Sequence, residues 1–164
     1  MKVILDTNIL VSGIARSDRA PGQIVAAWMA GRFDLIVSDP LLDELARVLR
    51  YPKVRALLAK AGLSDGDLRD YADILRMKAV IVETAGAVLP TTPHDPKDRH
   101  VLEALVASGA EFLVTGDKKH LLSLGLSQIV TAADFARRLQ AFKATEPPAP
   151  LYRASKPRRK RKGR

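Results

Sequence analysis

KVILDTNIL, residues 2–10, joins a three-residue apolar run, Val3–Leu5, to the start of a helix, with an acid at the joint. Lys2–Leu5 reads as a buried strand, Asp6 closes it, and Ile9, Leu10 and Ile14 then recur at helical spacing. Similar units follow along the chain. Phe33–Val37 is a short apolar strand, and Asp39-Pro40 reads as an N-cap with a first-turn proline, opening a helix to about Arg50. Ala79–Glu83 is a third strand, Glu111–Thr115 a fourth and Gln128–Val130 a brief fifth. Helices are predicted from Pro21 to Gly31, Val54 to Ala61 and Leu68 to Lys78, and from Asp95-Pro96 to near Gly109. A short helix is expected around Lys119–Leu124, and the final one starts at Thr131, whose spacing to Asp134 resembles a capping box. Thr84–His94, with two prolines and a glycine, is a loop. Strands alternating with helices predict a parallel sheet covered by helices on both faces.

The chain has 164 residues, enough for one domain with a sizeable core. It has no cysteine, which excludes disulfides and thiolate metal sites. The acid within the first apolar run argues against a signal peptide, and no later run approaches the roughly 20 apolar residues of a membrane span. A cytoplasmic protein with no membrane association is expected. The net charge of +9 is unevenly spread: residues 143–164 hold nine Lys/Arg and one acid, leaving residues 1–142 at +1. The expected organisation is therefore a nearly neutral folded domain over 1–142 and a proline-rich, basic, disordered tail over 143–164. Such a tail can hold RNA through phosphate contacts or simply aid solubility.

Four acids stand out: Asp6, Glu44, Asp98 and Asp117. Asp6 and Asp117 follow strands directly, where an open parallel sheet presents its ligand-binding carboxyl edge. Each could also cap the helix that follows. Glu44 carries an internal control in its neighbour. At 100° per residue, Leu41, Leu45, Val48 and Leu49 form an apolar arc with Glu44 at its border, whereas Asp43 points away with Arg47 and Arg50. Asp98 lies three residues after Asp95, a spacing that mimics a capping box. Yet it shares its face with Val101, Leu102 and Leu105, the side that must pack on the sheet. Four acids aimed at one edge would repel one another unless a cation sat among them.

Hard cations take oxygen ligands, and a carboxylate cluster supports metal-assisted phosphodiester cleavage with no His or Cys nucleophile. Asp6, Glu44, Asp98 and Asp117 are the candidate catalytic and metal-binding residues, and Mg²⁺ or Mn²⁺ the expected cofactor. Asp95 is a candidate cap or supporting acid. Asn8 and Thr115 could orient water or phosphate, and Lys118 and Lys119 could touch an RNA backbone. His94, His100 and His120 show no metal-binding spacing and are expected at the surface. Ser12, Ser38 and Thr115 lack a convincing base partner for nucleophilic catalysis.

At these residues the chain resembles PIN-domain proteins, specifically the VapC-like toxins of bacterial toxin–antitoxin systems. The resemblance runs from Met1 to about Leu139. It rests on ILDTNIL, on Asp95-Pro96 through Asp98 to Leu102, and on LVTGDKKHL at Leu113–Leu121, with SDPLLDEL in the expected order between them. It implies a three-layer α/β/α sandwich with a five-stranded parallel sheet, and a Mg²⁺- or Mn²⁺-dependent ribonuclease. The family's acids map to Asp6, Glu44, Asp98 and Asp117, with Asp95 as a frequent companion. Lys97 interrupts what is often a denser acidic run. The resemblance further implies a homodimer and a neutralising antitoxin partner. The alternative is an inactive PIN-like module that binds RNA through its basic tail. A phosphatase of the haloacid-dehalogenase type would need a second Asp where Asn8 stands. A receiver domain would need an acid pair near the first strand and a phosphoacceptor after the third.

Overall fold

The computed structural model describes residues 1–145. Five strands, β1 (Lys2–Leu5), β2 (Asp34–Val37), β3 (Val80–Ile81), β4 (Phe112–Thr115) and β5 (Ile129–Thr131), form one sheet in the order β3-β2-β1-β4-β5. Every pairing is parallel. The helices are α1 (Thr7–Ala15), α2 (Ala20–Met29), α3 (Asp39–Val48), α4 (Pro52–Lys60), α5 (Asp65–Lys78), α6 (Arg99–Ser108) and α7 (Ala132–Thr145). They cover both sides of the sheet, as expected of a PIN-like α/β sandwich.

Strand β1 lies at the centre because it can be buried on both faces: Val3, Ile4 and Leu5 are wholly inaccessible. The chain runs outward from β1 through β2 to β3, then returns to place β4 against the other side of β1. The strand order therefore reverses between β1 and β4. Ligands of open α/β sheets bind outside the carboxyl ends of the strands at this kind of reversal. Register aligns the two strand ends there, with Leu5 opposite Val114 and the Asp6 backbone N–H donating to the Val114 carbonyl at 3.0 Å.

Away from that edge, Phe135 of α7 is fully buried against Phe33 and Phe112, with ring centroids 5.6 and 5.5 Å away. Tyr71 of α5 is buried and its hydroxyl donates to the Leu10 carbonyl at 3.3 Å, tying the helical layer to α1.

Several expected boundaries shift for local reasons. The third strand is two residues long, not five, because it is an edge strand paired on one side only; Val80 and Ile81 are each about half exposed. The N-cap of α3 is Ser38, not Asp39, and makes no side-chain cap bond. Pro40, within the first turn, presets the helical backbone there. Before α6 the chain makes a 3₁₀ turn over Pro96–Asp98, and the expected helix after Asp117 is a 3₁₀ turn over Leu122–Leu124. Thr131 and Asp134 do form the capping contacts, with Asp134 N–H donating to Thr131 Oγ1 at 3.1 Å and that hydroxyl donating to Asp134 at 2.7 Å. The basic tail assigned to 143–164 begins inside α7, which continues to Thr145; residues 146–164 lie outside the described residues.

Candidate active site

Asp6 leaves the end of β1 almost enclosed, 8% exposed. Its Oδ2 accepts from Thr115 Oγ1 at 2.6 Å and from Asn8 Nδ2 at 2.5 Å. Burial raises the Asp6 pKa above the ordinary carboxylate value; the Thr115 hydrogen bond opposes this, and the charge of Glu44 adds to it. Thr115 is fully buried and works in two directions, since its hydroxyl also accepts the Asp117 backbone N–H at 3.0 Å. It thus couples the end of β1 to the turn after β4. Both of its hydrogen bonds are to neighbouring site residues. Asn8 is held in turn by the Gly116 N–H, 3.0 Å from its Oδ1. A Cβ at Gly116 would lie 3.3 Å from that same oxygen, so the glycine permits a close backbone approach.

Glu44 projects inward from α3 while Asp43 stays exposed, as the helical wheel requires. Glu44 Oε2 accepts from Thr7 Oγ1 at 2.8 Å and pairs with His100 Nε2 at 3.1 Å. The His100 hydrogen bond lowers the Glu44 pKa, outweighing burial, and Thr7 acts in the same sense. Burial disfavours the charged form of His100, but the hydrogen bond and charge of Glu44 prevail and raise its pKa.

Asp117 anchors the turn after β4. Its Oδ1 accepts the backbone N–H groups of Lys119 and His120, both at 2.9 Å, and its Oδ2 lies 3.0 Å from His120 Nδ1. Burial acts to raise its pKa, yet the hydrogen bonds from His120 and Lys119 win and lower it. The capping alternative for Asp117 is thus realised, and it does not consume the carboxylate.

Asp98 differs from the other three. Asp95 accepts the Lys97 N–H at 2.9 Å through its Oδ1, as a cap does, but Asp98 returns no side-chain bond to complete a capping box. Its Oδ2 is buried and has no hydrogen-bond partner among the described residues. Burial, then the charges of Asp117, Asp6 and Asp95, push its pKa up to about 6. One oxygen of Asp98, one of Asp117 and a ring nitrogen of His120 lie within 4.8 Å of one another. Asp6 and Glu44 stand outside that tight group, though the charge of Asp6 reaches Asp98 and that of Glu44 reaches Asp6.

Two histidines expected at the surface are therefore site residues. His100 faces Glu44 and His120 faces Asp117, while His94 is exposed and contacts Ser123 Oγ at 3.0 Å. Thr7, buried and bonded to Glu44, was also not singled out. Lys118 and Lys119 are exposed beside Asp117, and Lys118 helps line a cavity of about 620 Å³ together with Asn8, Ser12, Arg19 and Asp117.

The donor set fits a hard divalent cation: carboxylate oxygens converge, one of them buried and unpartnered. A family model described as "PIN domain" matches residues 2–119. A solved structure, VapBC2 from Rickettsia felis bound to a DNA fragment from its promoter, has a chain of similar fold, with a TM-score of 0.50 and 16% identity. The match covers 80% of this chain and 97% of that one. No curated protein matches the chain.

Proposed function

The chain belongs to the PIN domain family, and from that premise we propose that it is a Mg²⁺- or Mn²⁺-dependent endoribonuclease, the toxin of a toxin–antitoxin pair. The observation that carries this reading is Asp98: a carboxylate oxygen buried with no partner among the described residues, its pKa pushed up to about 6 by burial and then by the acids around it. A cation would relieve both the desolvation and the repulsion.

Asp98 and Asp117 would hold the ion most directly, with Asp6 and Glu44 completing the acidic edge. When bound, the ion would acidify a water for in-line attack on the phosphodiester and neutralise charge developing on the phosphate oxygens. The chain's own residues set the geometry. Thr115 and Asn8 fix Asp6, Thr7 and His100 fix Glu44, and the turn amides of Lys119 and His120 fix Asp117. This rigidity keeps the acids in place before substrate arrives. Lys118 and Lys119, exposed beside Asp117, are suited to an RNA phosphate backbone, and the adjoining cavity has room for a nucleotide.

The antitoxin partner is proposed from the VapC-like resemblance and from the fold shared with a VapBC2 chain. The homodimer comes from the resemblance alone. A cytoplasmic location belongs to the same reading, since a toxin that cleaves cellular RNA must meet it there. The concentrated charge of residues 143–164 favours a second reading, an inactive module that binds RNA through its tail.

The test is cleavage of a single-stranded RNA by the full chain with Mg²⁺ or Mn²⁺, and with a chelator. Cleavage that stops with the chelator and in both Asp6→Asn and Asp98→Asn supports the nuclease. Equal cutting by wild type and variants points to a contaminant and refutes the site; binding without cutting, unaffected by either variant, supports the second reading.

A further inference from the structure

His120 takes no part in the chemistry described so far, yet it stands in the tightest cluster of ligand atoms in the described structure. We propose that His120 is an imidazole ligand of the metal centre, and that the centre therefore prefers Mn²⁺ to Mg²⁺. The inference rests on the reading of the acids as a metal site and adds a nitrogen donor to it.

The geometry is close to that of a bound ion. The His120 nitrogen and the oxygens of Asp98 and Asp117 lie within 4.8 Å of one another. Ligands of an ion held at 2.0–2.1 Å stand about 3.0 Å apart when adjacent and about 4.2 Å when opposite, so the trio is within the reach of one ion after a small closure. The ring is also held in place. Its backbone N–H donates to Asp117 at 2.9 Å, its Nδ1 lies 3.0 Å from Asp117 Oδ2, and its carbonyl accepts from Ser123 Oγ at 3.1 Å. A neutral imidazole has one N–H and one lone pair. With the proton on Nε2, which has no protein partner among the described residues, the lone pair sits on Nδ1, 3.0 Å from Asp117 Oδ2, about the separation of adjacent ligands on one ion.

His100 is the internal contrast. Its Nε2 faces Glu44 at 3.1 Å, and among the described residues no second acid joins them within ligand distance, so this ring braces an acid. The two histidines thus separate into a support and a ligand.

Selectivity follows from donor type. Mg²⁺ takes oxygen donors and sheds water reluctantly, whereas affinity for mixed nitrogen and oxygen sites rises along the transition series, with imidazole favouring those ions. Among them Mn²⁺ shares the carboxylate preference of the other ligands.

The experiment uses Mn²⁺ alone with the full chain and reads the electron spin of the bound ion by pulsed EPR. A ¹⁴N coupling is expected in the wild type, lost in His120→Asn and kept in His100→Asn. His120→Asn retains an N–H donor for Asp117 but has no ring nitrogen. It should weaken Mn²⁺ binding by about tenfold or more, while Mg²⁺ affinity, read by competition, changes by less than about threefold. Mn²⁺ bound by the wild type without nitrogen coupling overturns the proposal, and this result needs no variant to fold. Equal loss of both ions in a folded His120→Asn also overturns it, leaving His120 as a brace for Asp117. Failure of the wild type to bind Mn²⁺ at all, or binding that survives Asp98→Asn, refutes the metal site itself and this inference with it.

Discussion

Asp98→Asn should make the metal-free protein more stable and the metal-loaded protein comparatively less so. In the folded chain the Asp98 carboxyl titrates at about 6 against an ordinary 3.8, raised first by burial and then by Asp117, Asp6 and Asp95. Two pKa units correspond to about 3 kcal/mol. Asp98 is only partly buried, so solvent screening reduces the usable figure to about 1–2 kcal/mol. The sign follows from the direction of the shift. A carboxyl whose folded-state pKa is raised costs nothing below the unfolded value, because it is protonated in both states. The penalty grows as pH rises from about 4 to about 6 and is complete above that. Asparagine carries no charge, and its amide can donate to the neighbouring carboxylates.

Thermal unfolding in chelator at pH 7.5 should therefore place Asp98→Asn about 3–6 °C above the wild type, an advantage that vanishes near pH 4. Saturating Mn²⁺ should reverse the order, since an ion at a hundred times its Kd adds about 2.7 kcal/mol to the protein that binds it. A variant less stable than wild type in chelator at pH 7.5 would refute the argument from repulsion. An order that Mn²⁺ leaves unchanged would remove Asp98 from the metal site.

Three further outcomes are expected. Asp6→Ala leaves the fully buried Thr115 hydroxyl without its carboxylate acceptor, which should cost about 1–3 kcal/mol in urea unfolding and abolish cleavage; an unchanged midpoint would deny the relay between β1 and β4. A double-mutant cycle on Glu44→Gln and His100→Gln should give a coupling of about 1 kcal/mol. Glu44 is shifted down and His100 up, so Glu44's share is lost as pH falls below its ordinary 4.5 and His100's as pH rises past its raised value; coupling at pH 5.5 no larger than at pH 9 would contradict the pairing. Deleting residues 146–164 removes eight of the nine tail cations and should flatten the salt dependence of RNA binding while leaving Mn²⁺ affinity intact; an unchanged slope would mean that the tail does not touch RNA.

The sheet was legible because its inner strands are buried on both faces and must therefore be apolar. Lys2–Leu5 has the same limits in sequence and structure, and the other strands fall within a residue or two, except at the edge. Ala79–Glu83 has strand-like residues, but a strand forms only where a neighbour supplies the ladder. Of that stretch, only Val80 and Ile81 pair in register with β2, and no local pattern carries that information. The strand order was equally hidden. Alternating strands and helices specify a parallel sheet; the return of the chain to place β4 beside β1 depends on packing between distant segments.

The acids and the histidines separate for a related reason. Asp6 and Asp117 declare themselves by ending strands, and Glu44 by its place on a helical wheel, so each is readable from its own neighbourhood. His100 meets Glu44 from a helix 56 positions away. A wheel centred on Asp98 would also mislead, because two residues further along a helix point about 200° away. Asp98 belongs to the 3₁₀ turn before α6, so the wheel does not yet apply. His120 is drawn to Asp117 by a turn in which the carboxylate gathers the Lys119 and His120 amides, a geometry that spacing in a chain does not announce. What emerges is an imbalance among the acids. Asp6, Glu44 and Asp117 each receive protein donors through the side chain, whereas Asp98 turns a buried oxygen toward its like-charged neighbours and receives no donor among the described residues. Buried polar groups in folded proteins are almost always satisfied, and the exceptions collect where function demands them. No described residue supplies the missing partner of Asp98, and beside carboxylates the group that fits there is a cation.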